Sequence, residues 1–243
     1  MATFGRGTLL TLPNHLINSM KRIIIIGEGQ TEQSFCNDVL QPHFLRHSIY
    51  VQNPVIKKTR GGIVNWQALK HQVEQHLKQD KSAFVTTLID YYGIHAHHKY
   101  PRWENVKHIQ DKSQVLSEIE RSMQEDVNEE WRHRFIPYIQ LHEFEGLLFS
   151  DIDVFTNSFE ENELLDYEYL AETIENNPNP EMINDGNETA PSKRLAKIIK
   201  GYYSDNENMK VFYGAILAHD IGLFKIRNKC PRFNHWIETL ETI

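Results

Sequence analysis

Cysteine is scarce: the chain has two in 243 residues, Cys36 and Cys230. Two cannot form a disulfide framework, and they show no paired spacing for zinc, so they read as buried thiols of a reducing compartment. Long apolar runs are also missing. The longest purely aliphatic stretch is Ile23-Ile24-Ile25-Ile26, far short of the roughly 20 residues of a membrane span. Residues 1–19 lack a hydrophobic run with a cleavage site and read as a loose leader, which leads us to expect a cytoplasmic protein without a membrane partner. Nucleotide-binding signatures are absent as well. Gly27-Glu28-Gly29-Gln30-Thr31-Glu32 has neither Gly-x-Gly-x-x-Gly nor Gly-Lys-Ser/Thr, and a carboxylate at Glu28 repels a phosphate unless a metal lies between them. His142-Glu143-Phe144-Glu145 is not the His-Glu-x-x-His of a zinc protease. There is no repeat and no low-complexity tract.

Basic residues are missing from one segment. Residues 151–190 hold 12 acidic side chains and no Lys or Arg, so the net charge of −7 divides into a strongly acidic stretch and a remainder of +5. The total excludes an overall basic nucleic-acid binder, but it leaves room for a local phosphate site. With 40% hydrophobic and 24% charged residues the chain can fill a core.

The apolar patterning alternates strands with helices. The unalternated run at 21–26 predicts a strand covered on both faces, followed by a helix ending at Pro42. A second strand is expected within 48–56, a helix at 64–79 on Trp66, Leu69, Val73 and Leu77, and a compact strand at 84–89 ending on Asp90. Residues 91–110 have no period and read as a long surface loop, and Val115, Ile119, Met123, Val127 and Trp131 space one long helix. A short strand, Phe135–Ile139, leads into His142-Glu143-Phe144-Glu145; if it continues, His142 and Phe144 share one face and the two glutamates the other. Beyond 150 only helical patterns recur: Leu164/Leu165/Tyr169, Leu195/Ile198/Ile199/Tyr202 and Phe233/Trp236/Ile237/Leu240, with Pro191 at a helix start. We expect an α/β core over 20–150, a mostly parallel sheet flanked by helices, and a helical C-terminal subdomain over 151–243.

Acidic residues stand at the ends of three expected strands: Glu28, Asp90, and the pair Glu143 and Glu145. In a parallel sheet the carboxyl ends of neighbouring strands share one crevice, where converging carboxylates repel one another unless a cation intervenes. Hard oxygen donors select Mg²⁺ or Mn²⁺. Glu32 is either a further metal ligand or base, or an ordinary first-turn glutamate favoured by the helix dipole. Lys57, Lys58 and Arg60, with Lys99 and Arg102 among the aromatics of 97–103, are candidates to hold a nucleic-acid backbone beside the crevice. His95, His97 and His98 read as polar surface.

Glu28-Gly29-x-Thr31-Glu32, Asp90-Tyr91-Tyr92-Gly93 and His142 to Phe149 resemble a bacterial family known as domain of unknown function 4276. The likeness continues through Ala190 to Leu195, Ile221-Gly222-Leu223 and Cys230-Pro231-x-Phe233-x-x-Trp236. More distantly, the family resembles the Toprim fold, in particular nucleases of the overcoming-lysogenisation-defect type. That resemblance implies metal-dependent phosphodiester cleavage through Glu28, Glu32 and Asp90. It also implies an ABC-type or AAA ATPase partner in anti-phage defence. Tyr92 stands where those nucleases carry a second Asp, so Glu143 or Glu145 supplies the missing carboxylate, or the chain is a non-catalytic partner subunit of such an ATPase. A phosphotransferase or primase-like enzyme is a third option. The sequence leaves open DNA versus RNA and assembly into a homo-oligomer.

Overall fold

The computed structural model describes residues 20–57, 63–183, 186, 188–203 and 208–243. Strand β1 (Lys21–Gly27) is central. It pairs in parallel with β2 (Ile49–Gln52) on one side and β3 (Ala83–Asp90) on the other, and β3 pairs in parallel with β4 (Phe135–Ile136) and β5 (Ile139–Gln140). The expected final strand is thus two short ladders separated by Pro137, which has no amide hydrogen to donate. The result is a mixed α/β architecture: a parallel sheet flanked by helices, followed by a helical C-terminal region.

The isoleucine run explains why the sheet is covered twice. Side chains alternate along a strand, so Ile23 and Ile25 enter one apolar core and Ile24 and Ile26 the other. The second core is closed by α3 (Trp66–Gln79) and α4 (Lys112–Asp126), through Leu69, Val73 and Leu77 from the first and Leu116, Ile119 and Met123 from the second. Asn65 and Asp111 cap these helices by accepting from backbone N–H groups of their first turns. Arg134, buried, donates at 2.9 Å to the carbonyls of Leu77, Asp80 and Ala83, so it satisfies the end of α3 and ties it to β3.

The first core is closed by α1 (Gln30–Phe35) with its continuation α2 (Gln41–Arg46), and by the C-terminal helices. The chain between α1 and α2 is a π turn, Cys36–Leu40, so the helix does not end at Pro42 as expected but runs on to Arg46. The wider turn accommodates a proline that has no N–H to give. Beyond β5 come a 3₁₀ run (Phe144–Ser150), α5 (Ile152–Ser158), α6 (Tyr167–Asn176), α7 (Pro191–Ile198), α8 (Asn208–Lys229) and α9 (Pro231–Glu241). Pro191 lies in the first turn of α7. Phe233, Trp236, Ile237 and Leu240 of α9 share the core with Ile23 and Ile25, and Trp236 Nε1 donates to Thr86 Oγ1 of β3 at 2.9 Å while stacking on Tyr138.

Three further expectations change. The helix expected to reach Trp131 ends at Asp126, where Val127 turns extended (φ −68°, ψ 148°). The 91–110 segment is irregular but not merely surface, since Ile94, Tyr100 and Val106 are buried against the α3/α4 side. Helix α8 has no counterpart in the expected pattern. It breaks at Gly222 (φ 74°, ψ 153°), so its apolar positions do not hold one phase.

Candidate acidic site at the carboxyl edge of the sheet

All named strands among the described residues are parallel, so their carboxyl ends lie on one edge, and the acidic side chains gather there. Gly27 closes β1 by donating to Pro54 O and accepting from Ile56 N, which brings the chain leading to exposed Lys57 against the end of β1. A Cβ on Gly27 would stand 3.1 Å from Glu32 Cβ, so the glycine admits Glu32 to the strand end. Glu32 folds back to accept from Gly29 N at 2.8 Å, capping α1, and is itself buried.

Glu28 Oε2 accepts from Asp90 N at 3.4 Å, which links the ends of β1 and β3. Pairing of β3 with the β5 chain continues past the strands: Tyr91 N donates to Gln140 O and Tyr92 N to His142 O. His142 then adopts a left-handed backbone (φ 63°), and Phe144 N donates to Asp90 Oδ1 at 2.9 Å. This is where the expected alternation of His142 and Phe144 against the two glutamates fails, because the strand stops at Gln140 and coils into the 3₁₀ run. Phe144 enters the core edge-on to Phe35. Glu143 accepts from Ser192 N at 2.9 Å, at the start of α7. Buried Glu145 pairs with Lys210 Nζ of α8 at 2.7 Å.

The electrostatics follow from this crowding. Desolvation, then the fields of Glu28, Glu32, Glu145 and Glu143, push the Asp90 carboxyl well above the usual range. Burial and then Glu145 push Glu32 up to about 7. Glu143 is raised by burial and by Glu145, against the opposing hydrogen bonds from Ser192. Burial works to lower Lys210, but the Glu145 carboxylate outweighs it and holds the lysine above its ordinary value. A hard cation would relieve this concentration of oxygen donors.

Of the proposed nucleic-acid contacts, Lys57, Lys99 and Arg102 are exposed, whereas Lys58 and Arg60 lie outside the described residues. Arg102 faces Glu118 of α4 at 3.9 Å. Tyr100, buried nearby, feels the field of Glu28. Lys210 and Ser192 were not anticipated as site residues: Lys210 lies on the helix whose pattern is broken, and Ser192 meets Glu143 through its N–H and its side chain at the start of α7.

A second group of metal-capable side chains lies elsewhere. His43 and His47, at the end of α2, and Glu241, at the end of α9, have ligand atoms all within 4.8 Å of one another and could coordinate a divalent ion. Ending the helix at Pro42 hid this group, because only helical continuation puts residues four apart on one face. Both cysteines are buried, and burial raises each thiol, so neither is a reactive nucleophile.

Fold and site together define an α/β protein with a parallel sheet and an acidic cluster at its carboxyl edge, together with a candidate metal-coordinating group. Residues 27–241 match the family model described as Domain of unknown function (DUF4276), and the chain belongs to that family. No curated protein and no solved structure matches it. Among the described residues no helix is long and apolar enough to cross a membrane.

Proposed function

We propose that this chain is a Toprim-like nuclease that hydrolyses phosphodiester bonds with Mg²⁺ or Mn²⁺. The observation that carries the reading is the convergence of Glu28, Glu32, Asp90, Glu143 and Glu145 at one sheet edge, with Glu32, Asp90 and Glu143 held above the ordinary carboxylate range. Glu28 and Asp90 are the principal ligands, with Glu143 or Glu145 completing the set. A divalent ion held there supplies Lewis acidity, lowering the pKa of water and stabilising charge on the phosphoryl oxygens.

The remaining roles belong to the chain's own groups. Glu32, at about 7, is poised as a general base near neutrality. Lys210 gives buried Glu145 a cationic partner beside the site. Exposed Lys57, on the chain that follows the end of β1, is proposed with Lys58 and Arg60 to position a nucleic-acid backbone, and Lys99 and Arg102 to extend that surface. Association with an ABC-type or AAA ATPase in anti-phage defence is proposed from the resemblance to overcoming-lysogenisation-defect nucleases.

The test is cleavage of DNA and RNA by the full chain with Mg²⁺ or Mn²⁺. Cleavage should fall at least about a hundredfold in Glu28→Gln and Asp90→Asn. Equal cleavage by wild type and both variants rejects the site. The second reading, a non-catalytic partner subunit, is favoured by Tyr92 at the position of the second acid and by Lys210 already engaging Glu145. It predicts neither cleavage nor Mg²⁺ binding by calorimetry.

A further inference from the structure

At the other end of the α1–α2 run from Glu32, His43 and His47 follow each other by four residues, about one helical turn, and their ring centroids are 4.8 Å apart. Glu241, 198 residues away in sequence, places Oε1 2.7 Å from His43 Nε2. Arg227 of α8 holds the same carboxylate with two donors, at 2.5 Å to Oε1 and 3.2 Å to Oε2, while its Nε donates to Asn234 Oδ1 at 2.6 Å. The carboxylate is therefore fixed in orientation from behind. An ionised carboxylate has about four lone-pair positions. Arg227 takes two, and the contact with His43 is the one a metal ion would replace.

We propose that His43, His47 and Glu241 bind a Zn²⁺-class transition-metal ion that fastens the last turn of α9 to the end of α2. Three features select this class of ion. Two imidazoles with one carboxylate form a borderline donor set, which suits Zn²⁺ better than the hard Mg²⁺ expected of an all-oxygen crevice. Tetrahedral coordination at Zn–N of about 2.0–2.1 Å separates ligand atoms by about 3.3 Å. The three atoms already lie within 4.8 Å, and the exposed His47 ring can rotate to close the difference. Arg227 acts as the outer partner that orients a ligating carboxylate. The fourth coordination position is left to water, because His47 lies at the surface.

A plain ion-pair network of His43, Glu241 and Arg227 is the competing account, and it assigns His47 no part. That difference sets the test. The full chain, stripped with EDTA and dialysed, is titrated with Zn²⁺ by calorimetry, and its Tm is followed. At a Zn²⁺ concentration a hundredfold above Kd, Tm should rise by about 5–10 °C. Affinity should fall at least tenfold in His47→Ala and in His43→Gln, and the visible spectrum of bound Co²⁺ should be lost with it. His47→Ala removes an exposed ring and leaves the Glu241 bonds with His43 and Arg227 in place, so a folding failure does not obscure the result. Glu28→Gln with Asp90→Asn, and separately His95→Ala with His97→Ala, should leave the Zn²⁺ effect unchanged. Equal Zn²⁺ affinity and Tm shift in wild type and His47→Ala would overturn the proposal, as would loss of the effect in the crevice or the 95/97 variants instead.

Discussion

Glu32 has two jobs that pull its chemistry in opposite directions. It caps α1 through Gly29 N, which favours the carboxylate, and it is buried near Glu145 and Glu28, which favours the acid. Burial and repulsion win, and the group is pushed from about 4.5 to about 7. The folded state therefore holds the proton more tightly than the unfolded chain. Its stabilising contribution is fully present below about 4.5 and is lost as pH rises through about 7. In EDTA, Glu32→Gln keeps the capping acceptor and should melt with wild type near pH 4.5, but should be more stable at pH 8, by up to about 3 kcal/mol. A gap independent of pH would contradict this origin. Lys210 acts in the other direction, because its removal leaves Glu145 buried without its cation. Lys210→Met should cost about 2 kcal/mol in a denaturant melt, below the full figure for a buried pair because the lysine side chain is 38% exposed.

Among the elements, α8 bears most directly on the acidic site and α9 on the core beneath the sheet. α8 crosses α1 closely enough that a Cβ on Gly214 would stand 2.9 Å from Thr31 Cγ2, and a β-branched side chain has little freedom to give way. Gly214→Ala should therefore lower Tm and shift Lys210 away from Glu145, despite the gain in helix propensity. α9 is anchored by the bond from Trp236 to Thr86 within the core. Trp236→Phe keeps an aromatic ring but leaves the buried Thr86 hydroxyl without this donor. The expected loss is about 2 kcal/mol, or about 4–8 °C in Tm. Both elements carried uneven signals in the sequence. The α9 pattern at Phe233, Trp236, Ile237 and Leu240 was legible because one face alone is buried. α8 was not, because Gly222 breaks its phase. The π turn before Pro42 was hidden for a related reason, since a proline marks a helix end by its missing N–H and by its clash with the preceding turn, and only the wider turn removes both objections.

For the whole molecule, the two cores on either side of one sheet make the C-terminal helices part of the same apolar packing as β1. A chain ending at Lys229 lacks α9 and should lose cooperative thermal unfolding by near-UV circular dichroism, because Ile23, Ile25 and Phe35 would lose their cover. Residue order alone was enough for the parallel α/β pattern, since an unalternated isoleucine run cannot be half-exposed and period-two side chains must then serve two cores. It also determined which acids end the strands, because Glu28 and Asp90 directly follow apolar runs that have to stop somewhere polar. Packing between elements set where Glu143 and Glu145 turn, which cation meets Glu145, and that His43, His47 and Glu241 adjoin. Those outcomes depend on a left-handed residue at His142, a helix continued through a proline, and contacts between residues as far apart as 198 positions. Local periodicity carries no information about any of these, because each is settled by packing between elements rather than within one.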